Sequence, residues 1–136
     1  MEGLIRYLSR RYQRVAEVGL GNYTRVARTL SSLGLQVTAT DIAPRAVDFP
    51  VQFDDVYRPR LSLYLGVQCL YSIRPPPELL PPLTRLAEIL GVDLLVKPLA
   101  AEPPDGTLIN MDGSFFYLFP ASTRQRKGQA LCSKAL

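Results

Sequence analysis

The sequence predicts an α/β fold: one sheet of mostly parallel strands, layered between helices and closed by an antiparallel hairpin. Three observations predict it. The run Arg14-Val15-Ala16-Glu17-Val18 breaks into Gly19-Leu20-Gly21, as a buried strand does when it turns into a helix. Strand-like and helix-like stretches then alternate, the pattern of a parallel sheet with crossover helices. Finally, Asp112-Gly113 separates two strand-like runs, which is a strong hairpin signal.

Each element has its own warrant. Residues 2–13 read as a helix, with Leu4, Ile5, Leu8 and Tyr12 at helical spacing. The first strand covers 14–18. A second helix runs from about Tyr23 to Leu33, its stripe made by Val26, Ala27, Leu30 and Leu33, with Gly34 as its stop. Residues 35–40 form the second strand, ending in Thr40-Asp41. Residues 43–47 suit one helical turn, and 49–53 a short third strand. One or two helical turns over 59–64 lead to the fourth strand, 67–73, which stops at Arg74-Pro75-Pro76-Pro77 because proline offers no N–H to a ladder. From 78 to 90 the leucine stripe marks a helix, with Pro81 and Pro82 tolerated in its first turn. Strand five covers 93–97, and the hairpin 107–111 with 114–119. The resulting expectation is a Rossmann-like three-layer sandwich with parallel strand order 3-2-1-4-5 and a C-terminal antiparallel hairpin beside strand five. Residues 1–120 form one domain, followed by a basic, disordered tail over 121–136.

Composition narrows the function. A chain of 136 residues suits one core, and 47% hydrophobic against 21% charged residues is the ordinary globular balance. Apolar runs are broken within about ten residues by Arg, Pro or Asp, too soon for a membrane span. The start, Met1 to Arg6, lacks the apolar stretch of a signal peptide, so the expected location is cytoplasmic. With no histidine, zinc sites of the Cys/His kind and histidine-based triads are excluded. Cys69, in an apolar run, reads as a small core residue, as do Tyr64 and Tyr71 beside it; Cys132 reads as a free thiol. Twelve prolines and the excess of Arg over Lys are weakly compatible with a thermophilic source. The net charge of +4 is uneven: residues 1–14 carry +3, residues 121–136 carry +4, and the body carries −3. Basic ends could meet nucleic-acid phosphates, although solvated charge on a first helix and a frayed tail explains them better.

The chemistry-bearing residues gather at strand ends. The turn at Gly19 and Gly21 would aim backbone N–H groups and a helix N-terminus at a ligand. Asn22 and Tyr23 replace the third glycine that a pyrophosphate would want, which favours an adenosyl ligand over a dinucleotide. Asp41, twenty residues past Gly21, suits both ribose hydroxyls, or else caps the turn at 43–47. Asp54 and Asp55 close strand three, where an adenine amino group would lie. Glu17, at the end of a buried strand, must find partners: backbone donors in the loops, a cofactor's ammonium group, or a structural network. Ser72 and Arg74 follow strand four, where a cofactor's reactive end would point; Ser72 could donate a hydrogen bond, and Arg74 could bind an acidic substrate or phosphate. Lys97, closing strand five, could face the same crevice.

Arg14 to Gly21, with Thr40-Asp41, Asp54-Asp55 and Tyr71-Ser72-Ile73-Arg74-Pro75-Pro76, resembles the uncharacterised protein family 0146 of archaea. That family is itself similar to class I S-adenosylmethionine-dependent methyltransferases. The resemblance spans roughly residues 1–120 and implies the Rossmann-like fold, without an activity. Carried over from the methyltransferases, it implies that Glu17, Gly19 and Gly21 form the glycine-loop motif and Asp41 the ribose acid. Two departures stand out. Tyr23 holds the position of the last glycine, and Ser72-Ile73-Arg74-Pro75 replaces the Asp/Asn-Pro-Pro-aromatic motif of amino-methylating members. The expected function is a minimal S-adenosylmethionine-binding, methyltransferase-like domain of unknown substrate. A non-catalytic cofactor-binding regulatory domain is the alternative, and a nicotinamide-dinucleotide domain a weaker one. In so short a chain a large substrate must be held by the strand-four loop, by the basic ends, or by the second subunit of a homodimer.

Overall fold

A computed structural model describes residues 1–98 and 106–121. It contains a seven-stranded sheet and three α-helices among those residues: α1 (Glu2–Arg11), β1 (Arg14–Val18), α2 (Arg25–Ser32), β2 (Gln36–Asp41), β3 (Gln52–Phe53), β4 (Cys69–Ile73), α3 (Leu80–Leu90), β5 (Asp93–Lys97), β6 (Thr107–Met111) and β7 (Ser114–Phe119). Strand order is β3-β2-β1-β4-β5-β7-β6. The first five strands pair in parallel, and β7 joins β5 antiparallel. Relative to the expected order the sheet differs in detail, because the last strand, β7, lies inside and β6 forms the edge.

Alternation within the strands assigns the two faces. Val15, Cys69, Tyr71 and Leu95 meet Leu4, Ile5 and Leu8 of α1 and Val26 and Leu30 of α2. Their neighbours Ala16, Val18, Leu70, Leu94 and Val96 meet Leu83, Leu86 and Ala87 of α3. A period of two therefore gives three layers. Cys69 is buried, and Tyr64 and Tyr71 are both inside, as expected.

The hairpin turns through Asp112 and Gly113, both left-handed, in the two-residue form the sequence predicts. A 3-10 turn over Pro77–Leu79 leads into α3, whose two prolines sit where no intrahelical N–H is required. Three expectations need correction. Residues 43–47 form no helical turn: the Asp41 carboxylate accepts the Ala43 N–H at 2.9 Å, a local bond that competes with helix, and Pro44 pushes Ala43 away from helical angles. Strand three shrinks to two residues because Pro50 cannot pair. Tyr23 lies in the loop ahead of α2 and not within the helix. The expected tail lies outside the described residues from 122 onward, as does Cys132. Ala121 is still anchored, its N–H donating to Asp93 Oδ1 at 2.7 Å.

Candidate ligand cleft

From β1 the chain passes to β2 and β3 on one side, then returns to β4 on the other. The loop after β1 leads to α2 on one face, and the loop after β4 leads to α3 on the opposite face. A crevice must open between two loops that leave in opposite directions. It does: a cleft of about 370 Å³ lies there, lined by Val18 and Gly19, by Asp41, Ile42 and Arg45, by Asp54 to Tyr57, and by Ser72 to Pro76 with Leu79. Apolar side chains dominate it, with a few polar groups among them, the composition of a small-molecule site.

Of the residues singled out in the sequence, Gly19, Asp41, Asp54, Asp55, Ser72 and Arg74 meet in this cleft. Glu17, Gly21 and Lys97 do not line it. Ile42, Val56, Tyr57 and Leu79 line it without having carried a site signal, since an apolar wall has no motif, and Arg45 joins them from a loop whose course the sequence does not give.

Gly19 and Gly21 hold φ at 78° and 60°, which explains glycine at both positions. A Cβ on Gly21 would meet nothing within 4 Å, so the backbone angle decides. The Gly19 and Leu20 N–H groups are taken by the Thr40 carbonyl at 2.9 and 3.2 Å. Asp41 is a clamp as well as a wall. Its Oδ2 accepts the Gly21 N–H at 2.8 Å and its Oδ1 the Ala43 N–H, so one carboxylate ties the β1 loop to the β2 end. Each oxygen keeps a further lone pair for a ligand hydroxyl.

Asp54 is committed to the fold. It is buried, accepts the Tyr64 hydroxyl at 2.6 Å and the Arg60 N–H at 3.0 Å, and pairs with the Arg60 guanidinium at 3.6 Å. Burial, then the bond to Asp54, pushes the Tyr64 hydroxyl well above its ordinary value, so it remains a donor. Asp55 caps its own turn through the Tyr57 N–H at 2.9 Å. Ser72 is buried too, donating from Oγ to the Val18 carbonyl at 2.7 Å.

Glu17 stands apart. It is fully buried on the α1/α2 side of the sheet, paired in register with Tyr71. Neither of its carboxyl oxygens has a hydrogen-bond partner, nor has the Tyr71 hydroxyl. The hydroxyl lies near enough to offset part of the burial effect, yet makes no bond of normal geometry, and burial dominates. The carboxyl is pushed up to about 8 and is mostly protonated at neutral pH. The partners expected for it are absent among the described residues. Neutralisation replaces them.

Among the described residues no group of three or more acidic, Cys or His side chains could hold a metal ion. No described helix is long and apolar enough to cross a membrane.

The chain matches the model of an uncharacterised protein family, UPF0146, over residues 1–121. It is 38% identical to a UPF0146 protein of Archaeoglobus fulgidus over 115 residues, 82% of this chain and 88% of the relative. To one of Pyrococcus furiosus it is 35% identical over 130 residues, 88% and 98% of the two chains. To one of Methanothermobacter thermautotrophicus it is 34% identical over 118 residues, 83% and 87%. These relatives are archaeal, many from thermophiles.

Proposed function

The chain belongs to the uncharacterised protein family UPF0146, and from that premise we propose that it is a minimal Rossmann-like domain whose cleft binds S-adenosylmethionine. The observation that carries the proposal is the position of the cleft. It opens at the carboxyl ends of β1, β2 and β4, at the point where strand order reverses, with a glycine turn on one wall and Asp41 on another. In this reading Asp41 takes the ribose hydroxyls with its remaining lone pairs. Ile42, Val56 and Leu79 hold the apolar ring, and the strand-four loop meets the reactive end. A nicotinamide dinucleotide fits less well, because Tyr23 stands where a third glycine would admit its pyrophosphate.

Catalysis, if it follows, rests on alignment of donor and acceptor, a proximity effect. Arg74 apart, the cleft offers little else: Ser72 already donates to Val18, Asp54 is bound to Tyr64 and Arg60, and Asp41 holds two backbone groups. The same commitment of polar groups favours a second reading, a regulatory domain that binds the cofactor without turning it over.

Calorimetric titration with S-adenosylmethionine and its demethylated product tests the proposal. We expect saturable binding of both, weakened in Asp41→Asn by about tenfold, the loss of a hydrogen bond to a charged group. No heat and no thermal shift at millimolar ligand would overturn it. Binding without methyl transfer to RNA, DNA or protein selects the regulatory reading.

A further inference from the structure

We infer that the carboxyl ends of β4 and β5 form a binding site for a phosphate group, built on Arg74 and Lys97 beside the cleft. The two residues are locked together by their backbones: Ile73 pairs with Lys97, and the Arg74 N–H donates to the Lys97 carbonyl at 2.6 Å. Arg74 has φ of 52°, a left-handed conformation that a residue with a Cβ adopts only at a cost. The loop would hold this shape more easily with glycine, so the guanidinium itself needs a reason. It projects over the Tyr23 ring, 5.6 Å from the centroid.

Lys97 Nζ donates to the Phe115 carbonyl at 2.6 Å, which fixes its ammonium near the start of α1. Burial and then the charge of Arg74 hold its pKa below the ordinary value. The helices add to this charge. α1 and α2 both begin here, and Arg25 at the start of α2 pairs with Glu2 at the start of α1, so two helix N-termini meet at one place. Against this stands little negative charge. Arg6, Arg25, Arg28 and Arg60 each have a carboxylate partner; among the described residues Arg74 and Lys97, like several other arginines, have none. Glu17, buried on this same face, is mostly uncharged. Two cations held side by side without a counter-charge repel each other, and a multiply charged oxyanion relieves that repulsion.

The site stands whether or not the cleft takes a methyl donor. If it does, the phosphate belongs to the second ligand, anchored about one strand's width from the cleft's mouth at Arg74. Two sources share this chemistry, a small phosphorylated molecule and a nucleic-acid backbone.

The test is amide chemical-shift titration of the full chain with inorganic phosphate, pyrophosphate and a short oligothymidylate. We expect saturable shifts at Tyr23 to Arg25, Arg74 and Lys97, with affinity lowered about tenfold in each of Arg74→Gln and Lys97→Gln, as for one charge-assisted hydrogen bond. Arg74→Gly separates function from fold, since it removes the backbone strain: it should melt no lower than the parent and still lose binding. Saturation by pyrophosphate with a weak response to oligothymidylate assigns a small ligand. Tighter, salt-sensitive binding of the oligonucleotide through the same two residues assigns a nucleic acid. Affinities unchanged in both glutamine variants, or no saturable shift with any of the three probes, overturn the site. Titration with S-adenosylmethionine in parallel keeps the proposals distinct: Lys97→Gln should retain it, and its failure in the parent chain would remove only the cofactor reading.

Discussion

At the scale of single residues, Glu17 is an acid whose charge the fold does not favour. An acid whose pKa rises from 4.5 to about 8 on folding keeps its proton in the native state while the unfolded chain loses it. Over that window the unfolded state binds fewer protons, so stability falls as pH rises from about 4.5 to about 8 and levels above. One unit is about 1.4 kcal/mol, so the full displacement corresponds to on the order of 5 kcal/mol. Urea unfolding between acid and alkaline pH should show this decline in the parent chain, and Glu17→Gln should flatten it. The variant is expected to gain on the parent as pH rises. Parallel pH profiles for the two proteins would show that Glu17 ionises inside the fold without penalty, which its burial argues against. Asp54 gives the opposite lesson. Its position after a strand suggests ligand chemistry, yet Tyr64 and Arg60 hold it for structure. Those partners lie ten and six residues on, and only the tertiary fold brings their side chains round to it.

At the scale of elements, the contact between α1 and the hairpin is governed by Gly3. The helix lies so close that a Cβ on Gly3 would stand 1.8 Å from the Met111 carbonyl oxygen. Gly3 N–H also donates to Ser114 Oγ at 3.2 Å, and the Tyr7 and Phe116 rings meet edge to face at 5.3 Å. Glycine to alanine in an exposed helix normally gains about 1 kcal/mol. Here the sign should reverse: Gly3→Ala should cost roughly 1–3 kcal/mol as the helix lifts from the hairpin, read as a lower denaturant midpoint. A midpoint that stays or rises would mean α1 does not rest on β6 and β7 in this way. None of this is visible in the sequence, because Gly3 sits in a helical stripe and its partner is more than a hundred residues away. What could be read was local. Asp112-Gly113 fixed the hairpin turn, Gly91 ended α3, and Pro81 and Pro82 marked its first turn. Where a local bond opposed helix, as at Asp41 and Ala43, a short segment that suits a helical turn formed none.

At the scale of the whole molecule, the sheet divides stability from binding. The hairpin, α1 and α3 cover β4 and β5 with buried Leu, Tyr and Phe, whereas the cleft is walled by loops after β1, β2, β3 and β4. The glycine turn and the acid after β2 pointed to this end of the sheet from sequence; the apolar walls and the depth of Glu17 did not, since both depend on which loops converge. Ligand binding should therefore stabilise unevenly. At a hundredfold excess over Kd, a ligand that binds only the native state adds about 2.7 kcal/mol. For a domain of this size that corresponds to a rise in Tm of roughly 10 °C. Amide exchange should slow at Gly19 to Tyr23, at Ile42 to Arg45 and at Ser72 to Leu79 by up to that same hundredfold, because these loops open locally without unfolding the sheet and their opening destroys the site. Amides of β5 and β7 that exchange through global unfolding should slow by the same factor, whereas amides released by local openings that leave the cleft intact should not slow. S-adenosylmethionine that protected the hairpin and left the three loops unchanged would place its site elsewhere on the molecule. Protection of Arg74 and Lys97 by pyrophosphate alone, added to loop protection by the methyl donor, would instead map two ligands onto neighbouring strand ends, which is the geometry a transfer between them requires.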